Sequence, residues 1–330
     1  MMKVVNQHGS QTKAKLSSQE HMNQLLLATL PGSAVLSYAY GLGVVSNLLI
    51  AVFSCLAFDA LMLRLRQKSV MEGLKDYSAL VTAVLLGLAL PPALHFSLVV
   101  LASFFAIVVA KQLYGGLGQN PFNPAMVGYV VLLISFPSAM STWVAPDHYY
   151  AVLEPAFLGM EWLDGMTGST LLDQSKLASL QPDIYTLPDV YWLNPPPMVW
   201  ANIAFAMGGL YLLWRGVIRW HLPFCFLLSL ALISALFYLM DSTRFSSPLF
   251  HLLVGASMMG AFFIITDPVS GATSRKGQCV FAVGVAVLVF VLREWSNYPE
   301  GLAFAVLLMN MLVPIIDHYT VPKTANERLL

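Results

Sequence analysis

Long apolar runs separated by short polar breaks organise this chain. The runs lie near 25–42, 44–63, 78–94, 96–113, 125–141, 199–214, 223–240, 250–266, 279–293 and 301–319. A helix that crosses a bilayer needs about 20 largely apolar residues. The pattern therefore predicts an all-α polytopic membrane protein of about ten transmembrane helices, the shorter ones tilted or held inside a bundle. One polar connection is out of proportion. Residues 142–198 carry seven carboxylates (Asp147, Glu154, Glu161, Asp164, Asp173, Asp183, Asp189) and a single lysine, Lys176. The expected organisation is a polar tail (1–24), five helices (25–141), this loop (142–198), five more helices (199–320) and a second tail (321–330).

Charge assigns the sides. With the N-terminus inside, the inner segments collect Lys3, Lys13, Lys15, Arg64, Arg66, Lys68, Lys75, Lys111, Arg215, Arg219, Arg275, Lys276, Lys323 and Arg328. The outer segments collect only Lys176, Arg244 and Arg293, so the split is 14 against 3 of the 17 basic residues. Positive residues favour the cytoplasmic side, which places both termini in the cytoplasm and the 142–198 loop outside, periplasmic in a two-membrane bacterium. The stretch Met1–Gln24 has no short apolar run with a cleavage site, so it reads as a cytoplasmic tail.

Because five is odd, the second group of helices enters the membrane in the opposite sense to the first, which permits an inverted repeat. Ala79–Pro92 aligns with Ala256–Val269 at an offset of 177, and Gln119–Ala125 with Asn297–Ala303 at 178. Lys111–Gly128 (KQLYGGLGQNPFNPAMVG) is dense in Gly and Asn-Pro steps that cannot continue a helix. It predicts a re-entrant loop with Asn120 and Asn123 facing a ligand.

Composition narrows the function. With 58% hydrophobic and 10% charged residues, the chain falls far below the roughly 25% charge of soluble domains. Its formal net charge of zero supplies no basic field for nucleic acid. Cys55, Cys225 and Cys279 stand apart with no Cys-x-x-Cys, and no histidine pair lies at helical spacing within a span. Iron–sulfur, structural zinc and bis-histidine haem sites are not expected. Asp59, Lys111 and Asp317 fall near span ends and are expected to reach the interface. Trp143, Trp200, Trp214, Trp220 and Tyr298 read as an interfacial aromatic belt.

Two segments share a hydroxyl-rich pattern with a leading carboxylate: Asp164-Gly-Met-Thr167-Gly-Ser169-Thr170 and Asp267-Pro-Val-Ser270-Gly-Ala272-Thr273. From the residues alone, the first is an Asp-Gly turn in which Gly165 and Gly168 supply flexibility and Asp164 accepts amide hydrogens. Family resemblance adds chemistry. Lys111–Pro137, together with LKDYSAL (Leu74–Leu80), RWHLP (Arg219–Pro223), GAFFIITDPV (Gly260–Val269) and YPEGLAFAVLL (Tyr298–Leu308), resembles the D component of Rnf-type ion-translocating oxidoreductases. That component is related to the B component of the sodium-translocating NADH:quinone oxidoreductases. The resemblance covers essentially all ten spans.

It implies a translocase component that moves electrons between ferredoxin and NAD, coupled to ion transport, in a bacterial inner membrane. It also implies FMN esterified through its phosphate to a threonine by a flavin transferase, and a second, non-covalent flavin such as riboflavin. The other subunits of the complex would be its partners, and no catalytic acid, base or nucleophile of its own is expected. The Asp267–Thr273 copy matches the transferase pattern more closely, whereas Ser169 stands in a usual Ala position of the other copy. Arg275 and Lys276 nevertheless place Thr273 inside, out of reach of an exported transferase, so Thr170 is the predicted acceptor, with Asp164, Gly165, Thr167 and Ser169 around it. Asn120, Asn123, Asp267 and Thr273 are the residues expected around the second flavin. A small-solute channel or transporter of inverted-repeat architecture, or a scaffold protein without cofactor, remains the alternative.

Overall fold

The computed structural model describes residues 17–144, 167–181, 184–188, 195–298 and 300–321. They form helices, with a single two-stranded ribbon among the described residues. The first set is α1 (Ser18–Tyr40), α2 (Leu42–Leu65), short α3 (Val70–Leu74), α4 (Ser78–Ala89), α5 (Phe96–Phe104, continuing as π-helix over Phe105–Gln112) and α6 (Pro124–Ser135). A short α7 (Pro137–Ser141), strands β1 (Trp143–Val144) and β2 (Thr167–Gly168), and α8 (Leu171–Leu180) follow. The second set is α9 (Pro197–Arg215), α10 (His221–Met240), α11 (Pro248–Leu253), α12 (Ser257–Met259, continuing as π-helix over Gly260–Ile264), α13 (Arg275–Trp295) and α14 (Leu302–Thr320).

Each predicted span coincides with a helical segment. Among the described residues, five helices (α2, α9, α10, α13 and α14) are long and apolar enough to cross a membrane, and Ser78–Ala89, Phe96–Gln112 and Pro124–Ser135 are shorter apolar helices. The protein is an all-α polytopic membrane protein. Large side chains left exposed on α10 repeat every fourth residue (Phe224, Leu228, Leu232, Leu236, Met240), as a lipid-facing stripe does.

The element order is doubled. Helices that start at Ser18, Leu42, Val70, Ser78, Phe96 and Pro124 have counterparts starting at Pro197, His221, Pro248, Ser257, Arg275 and Leu302, 178 or 179 residues later. Even the caps correspond. Ser69 and Ser247 each cap their short helix, and His95 and Ser274 each cap the helix after the following turn, through the side chain. The two sets meet along α1 and α9 and along α6 and α14. Small residues allow the first crossing: a Cβ on Gly208 would lie 2.0 Å from the Ala28 carbonyl oxygen. Close backbone approach of this kind is how helices associate where lipid supplies no hydrophobic drive.

The loops that the charge pattern assigns to one side touch one another. Arg66, after α2, donates to Gln112 Oε1 (2.6 Å) and to the Gly115 carbonyl (2.9 Å) after α5. The Thr273 amide donates to Asp317 (3.0 Å), and Ser274 to Thr320 (2.7 Å). On the other side, Lys176 of α8 donates to the Tyr298 carbonyl, and Ser179 to that of Arg244.

Two expectations need correction. Lys111 and Asp59 do not reach an interface but pair in the interior, with Nζ 3.1 Å from Oδ1 and Gln112 Nε2 donating to the same oxygen at 2.6 Å. Each group is costly to bury alone, and pairing removes the need to extend toward water. The Gly-rich stretch after α5 is a tight turn with positive φ at Gly115, Gly116 and Gly118. It leads into Asn123, whose Oδ1 caps α6 by accepting from the Met126 amide (3.3 Å) while Nδ2 donates to the Ile264 carbonyl (3.5 Å).

Candidate functional site

The site is built where the second set of helices breaks. The backbone leaves α11 at Val254, turns through Gly255 at φ +70°, and resumes at Ser257. A broken helix frees backbone groups that must find partners inside a membrane protein. Asn202 of α9 supplies several: Nδ2 donates to the carbonyls of Leu253 (3.0 Å) and Gly255 (2.8 Å), and Oδ1 accepts from the Met258 amide (3.1 Å). Arg293 of α13 donates to the His251 carbonyl (2.8 Å) and to Ser257 Oγ (3.0 Å), and pairs with Glu300 through Nε (3.0 Å) and Nη2 (2.8 Å). Glu300 in turn accepts from the amides of Ala256 (2.9 Å), Gly301 (2.9 Å) and Leu302 (3.3 Å). Burial by itself raises the Glu300 pKa, but the Arg293 charge and these hydrogen bonds outweigh it and hold the carboxyl below its ordinary value.

The segment carrying the predicted acceptor docks on this break. β2 pairs antiparallel with β1, Gly168 opposite Trp143 and Thr167 opposite Val144. Thr170 then caps α8 in a capping box: its hydroxyl accepts from the Asp173 amide (3.2 Å) and donates to Asp173 Oδ2 (2.6 Å), which also accepts the Thr170 amide (3.2 Å). Helix α8 buries Leu172, Ser175 and Ala178 along one face. Leu172 joins Val199, Phe250, Leu253 and Val254 in a buried cluster, and Ser175 bonds to Ser246 (2.6 Å). Lys176 sits among Asp173, Glu300, Glu294 and Arg293, with burial lowering its pKa and the carboxylates opposing that shift.

Thr170 is therefore half-buried on a fixed helix cap, not on a flexible turn as its glycines suggested. Gly168 serves the ribbon, Ser169 is exposed, and the backbone of Thr167 is paired. Asp164 and Gly165 lie outside the described residues.

Between the docked segment and the two helix sets lies a cavity of about 430 Å³. Its walls are Leu36 and Tyr40 of α1, Leu88 and Ala89 of α4, Met126 and Tyr129 of α6, Ala201, Asn202 and Phe205 of α9, and Leu302 and Ala303 at the start of α14. Trp143, Gly168 to Leu172, Pro196 to Met198, Val254 to Ala256 and Glu300 close the side where α8 docks. Trp143 is thus part of the cavity, edge-on to Tyr40 with centroids 5.8 Å apart, not part of an interfacial belt. Trp200, Trp214 and Trp220 are exposed as a belt requires.

The residues expected around a second flavin come together only in part. Asn120, Asn123 and Asp267 line a cavity of about 60 Å³ with Lys111 and Thr266. That is well below the roughly 300–1,000 Å³ of ligand pockets. Asn120 bonds to the Phe122 carbonyl (3.0 Å), and Asp267 accepts from Ser270 Oγ (2.7 Å) and the Val269 amide (3.1 Å). Burial raises the Asp267 pKa against those hydrogen bonds. Thr273 stands apart, exposed, with its amide on Asp317. The four residues do not form a flavin-sized site.

Sequence reading missed Asn202, Arg293 and Glu300, which hold the break. It also missed helix α8, although the Thr170-x-x-Asp173 spacing is a capping-box signal.

A family model described as the NQR2, RnfD, RnfE family matches residues 5–326. The D component of the ion-translocating oxidoreductase complex of Alcanivorax borkumensis is 46% identical over 335 residues, covering 99% of this chain and 98% of the relative. Proteins of the same description from Ectopseudomonas mendocina (50% over 327 residues, 96% and 94% covered) and Cronobacter sakazakii (44% over 336 residues, 93% and 94%) are similar along their length.

Proposed function

The chain belongs to the NQR2, RnfD, RnfE family, and from this we propose that it is the flavin-bearing membrane component of an ion-translocating oxidoreductase complex, with FMN held as a phosphoester on Thr170. The observation that carries the reading is the placement of Thr170. Thr170 lines an apolar, aromatic-walled cavity of about 430 Å³, within the size range of pockets that bury most of a drug-sized ligand. Tyr40, Trp143, Tyr129 and Phe205 in the lining would hold the ring system of a flavin attached there, since flat aromatic surfaces pack well. FMN supplies the redox chemistry when bound. The protein fixes its point of attachment, excludes water with Leu, Met, Val and Phe side chains, and sets the local charge through the compensated Arg293–Glu300 pair.

In this reading the loop end of the bundle that carries Thr170 faces the periplasm of a bacterial inner membrane, and both termini are cytoplasmic. The partners are the other subunits of the complex, the surrounding bilayer, and a flavin transferase during maturation. Electrons pass by way of this protein in a reaction coupled to ion translocation. The second, non-covalent flavin has no flavin-sized site around Asn120, Asn123, Asp267 and Thr273, and no step is assigned to it. A broken helix beside a central cavity also suits a small-solute transporter, but the mostly apolar lining gives a hydrated solute few partners.

The test is direct. The full chain co-expressed with its transferase should give a flavin-fluorescent band on a denaturing gel under ultraviolet light. Thr170→Ala should abolish the band and Thr273→Ala should keep it. A wild-type band without fluorescence sinks the carrier reading.

A further inference from the structure

The Thr170 hydroxyl donates to Asp173 Oδ2 across 2.6 Å. In a capping box the third residue of the helix normally receives only the cap residue's amide. Here the carboxylate takes that amide (3.2 Å) and also holds the hydroxyl proton, at the short separation of a bond from a hydroxyl to a charged oxygen. The neighbouring carboxylate that lines the cavity, Glu300, is filled by Arg293, Ala256, Gly301 and Leu302. Among the described residues, Asp173 is the one base hydrogen-bonded to Thr170 Oγ.

Resting on the reading of Thr170 as the phosphoester acceptor, we propose that Asp173 is the general base of that esterification, so that this chain carries part of the chemistry of its own modification. The donor class is a flavin phosphoanhydride, for which flavin adenine dinucleotide is the probe. Thr170 Oγ attacks the phosphorus of the FMN half, and an Oγ–P bond forms. The anhydride P–O bond breaks, its electron pair leaving on adenosine monophosphate. The hydroxyl proton passes to Asp173 Oδ2 and from this half-buried side chain to water, and nothing is oxidised or reduced. Lys176, one turn along the same helix, interacts with Asp173 and also with Glu300, Arg293 and Glu294. Asp173 therefore works with a cation one turn along its own helix.

The experiment uses the full chain, produced without transferase and reconstituted in nanodiscs. Transferase and flavin adenine dinucleotide are added, and covalent flavin is read with time as fluorescence of the denatured band. Asp173→Asn keeps a side-chain acceptor for the Thr170 amide but cannot take up a proton, so labelling should slow about 100-fold, the lower range of general-base effects. Asp173→Glu rebuilds the capping box with a longer carboxylate and should stay within about tenfold of wild type. A purely capping role would leave Asp173→Asn close to the wild-type rate.

Labelling of Asp173→Asn at the wild-type rate overturns the proposal. A wild-type chain that takes no label on Thr170 overturns the acceptor reading itself, which is a separate result.

Discussion

Replacing Glu300 by Gln changes one atom at the break beneath the cavity and should be expensive. Oε2 accepts from Arg293 Nη2 (2.8 Å) and the Ala256 amide (2.9 Å), while Oε1 accepts from Arg293 Nε (3.0 Å) and the Gly301 amide (2.9 Å). Whichever way the new carboxamide faces, its NH₂ group meets at least two donors, and the buried Arg293 loses its counter-charge. Removing one partner of a buried pair costs about 3–5 kcal/mol. At roughly 2–4 °C per kcal/mol, the midpoint should fall by about 10 °C.

The assay is thermal unfolding of the full chain in nanodiscs, followed by tryptophan fluorescence. Its pH dependence supplies an independent check. Because the folded Glu300 pKa is depressed, its contribution is fully present above the unfolded value of about 4.3 and is lost as pH falls through the folded value. Wild type should therefore lose its advantage over Glu300→Gln in that acid window. A variant that melts within about 1 °C of wild type at neutral pH would refute the role assigned to this carboxylate.

Gly255→Ala should destabilise by at least about 2 kcal/mol in the same assay, since its φ is +70° and a Cβ would lie 2.1 Å from Glu300 Oε2 and 2.5 Å from Arg293 Nη2. Lys111→Met leaves Asp59 buried with only Gln112 and should cost about 3–5 kcal/mol, whereas Lys111→Met combined with Asp59→Leu should recover most of the loss. A double-mutant cycle of unfolding free energies measures that difference, and strictly additive losses would contradict a buried pair.

The spans were legible because apolar length and period act locally, and the doubled order was legible because prolines and glycines recur at matching breaks. What the sequence hid is long-range pairing. Asn202, Arg293 and Glu300 lie on separate segments, and a lone Arg near a span end looks the same whether it anchors to lipid headgroups or satisfies a broken helix. Lys111 and Asp59, 52 positions apart, misled for the same reason. The proposed acceptor segment stood out through its motif, but its rigidity was misjudged. Its glycines suggested freedom, while the capping box and the burial of Leu172 and Ser175 fix it against the break.

The central claim is that one particular threonine carries the flavin, and peptide mass spectrometry tests it most directly. Trypsin separates the two copies of the pattern, because Thr170 lies in the fragment ending at Lys176 and Thr273 in the fragment ending at Arg275. For the full chain matured with its transferase, a mass increment equal to FMN less one water is expected on the Thr170 fragment, absent after Thr170→Ala. The same increment on the Thr273 fragment, with the Thr170 fragment unmodified, would contradict the account and reverse the sidedness on which it rests.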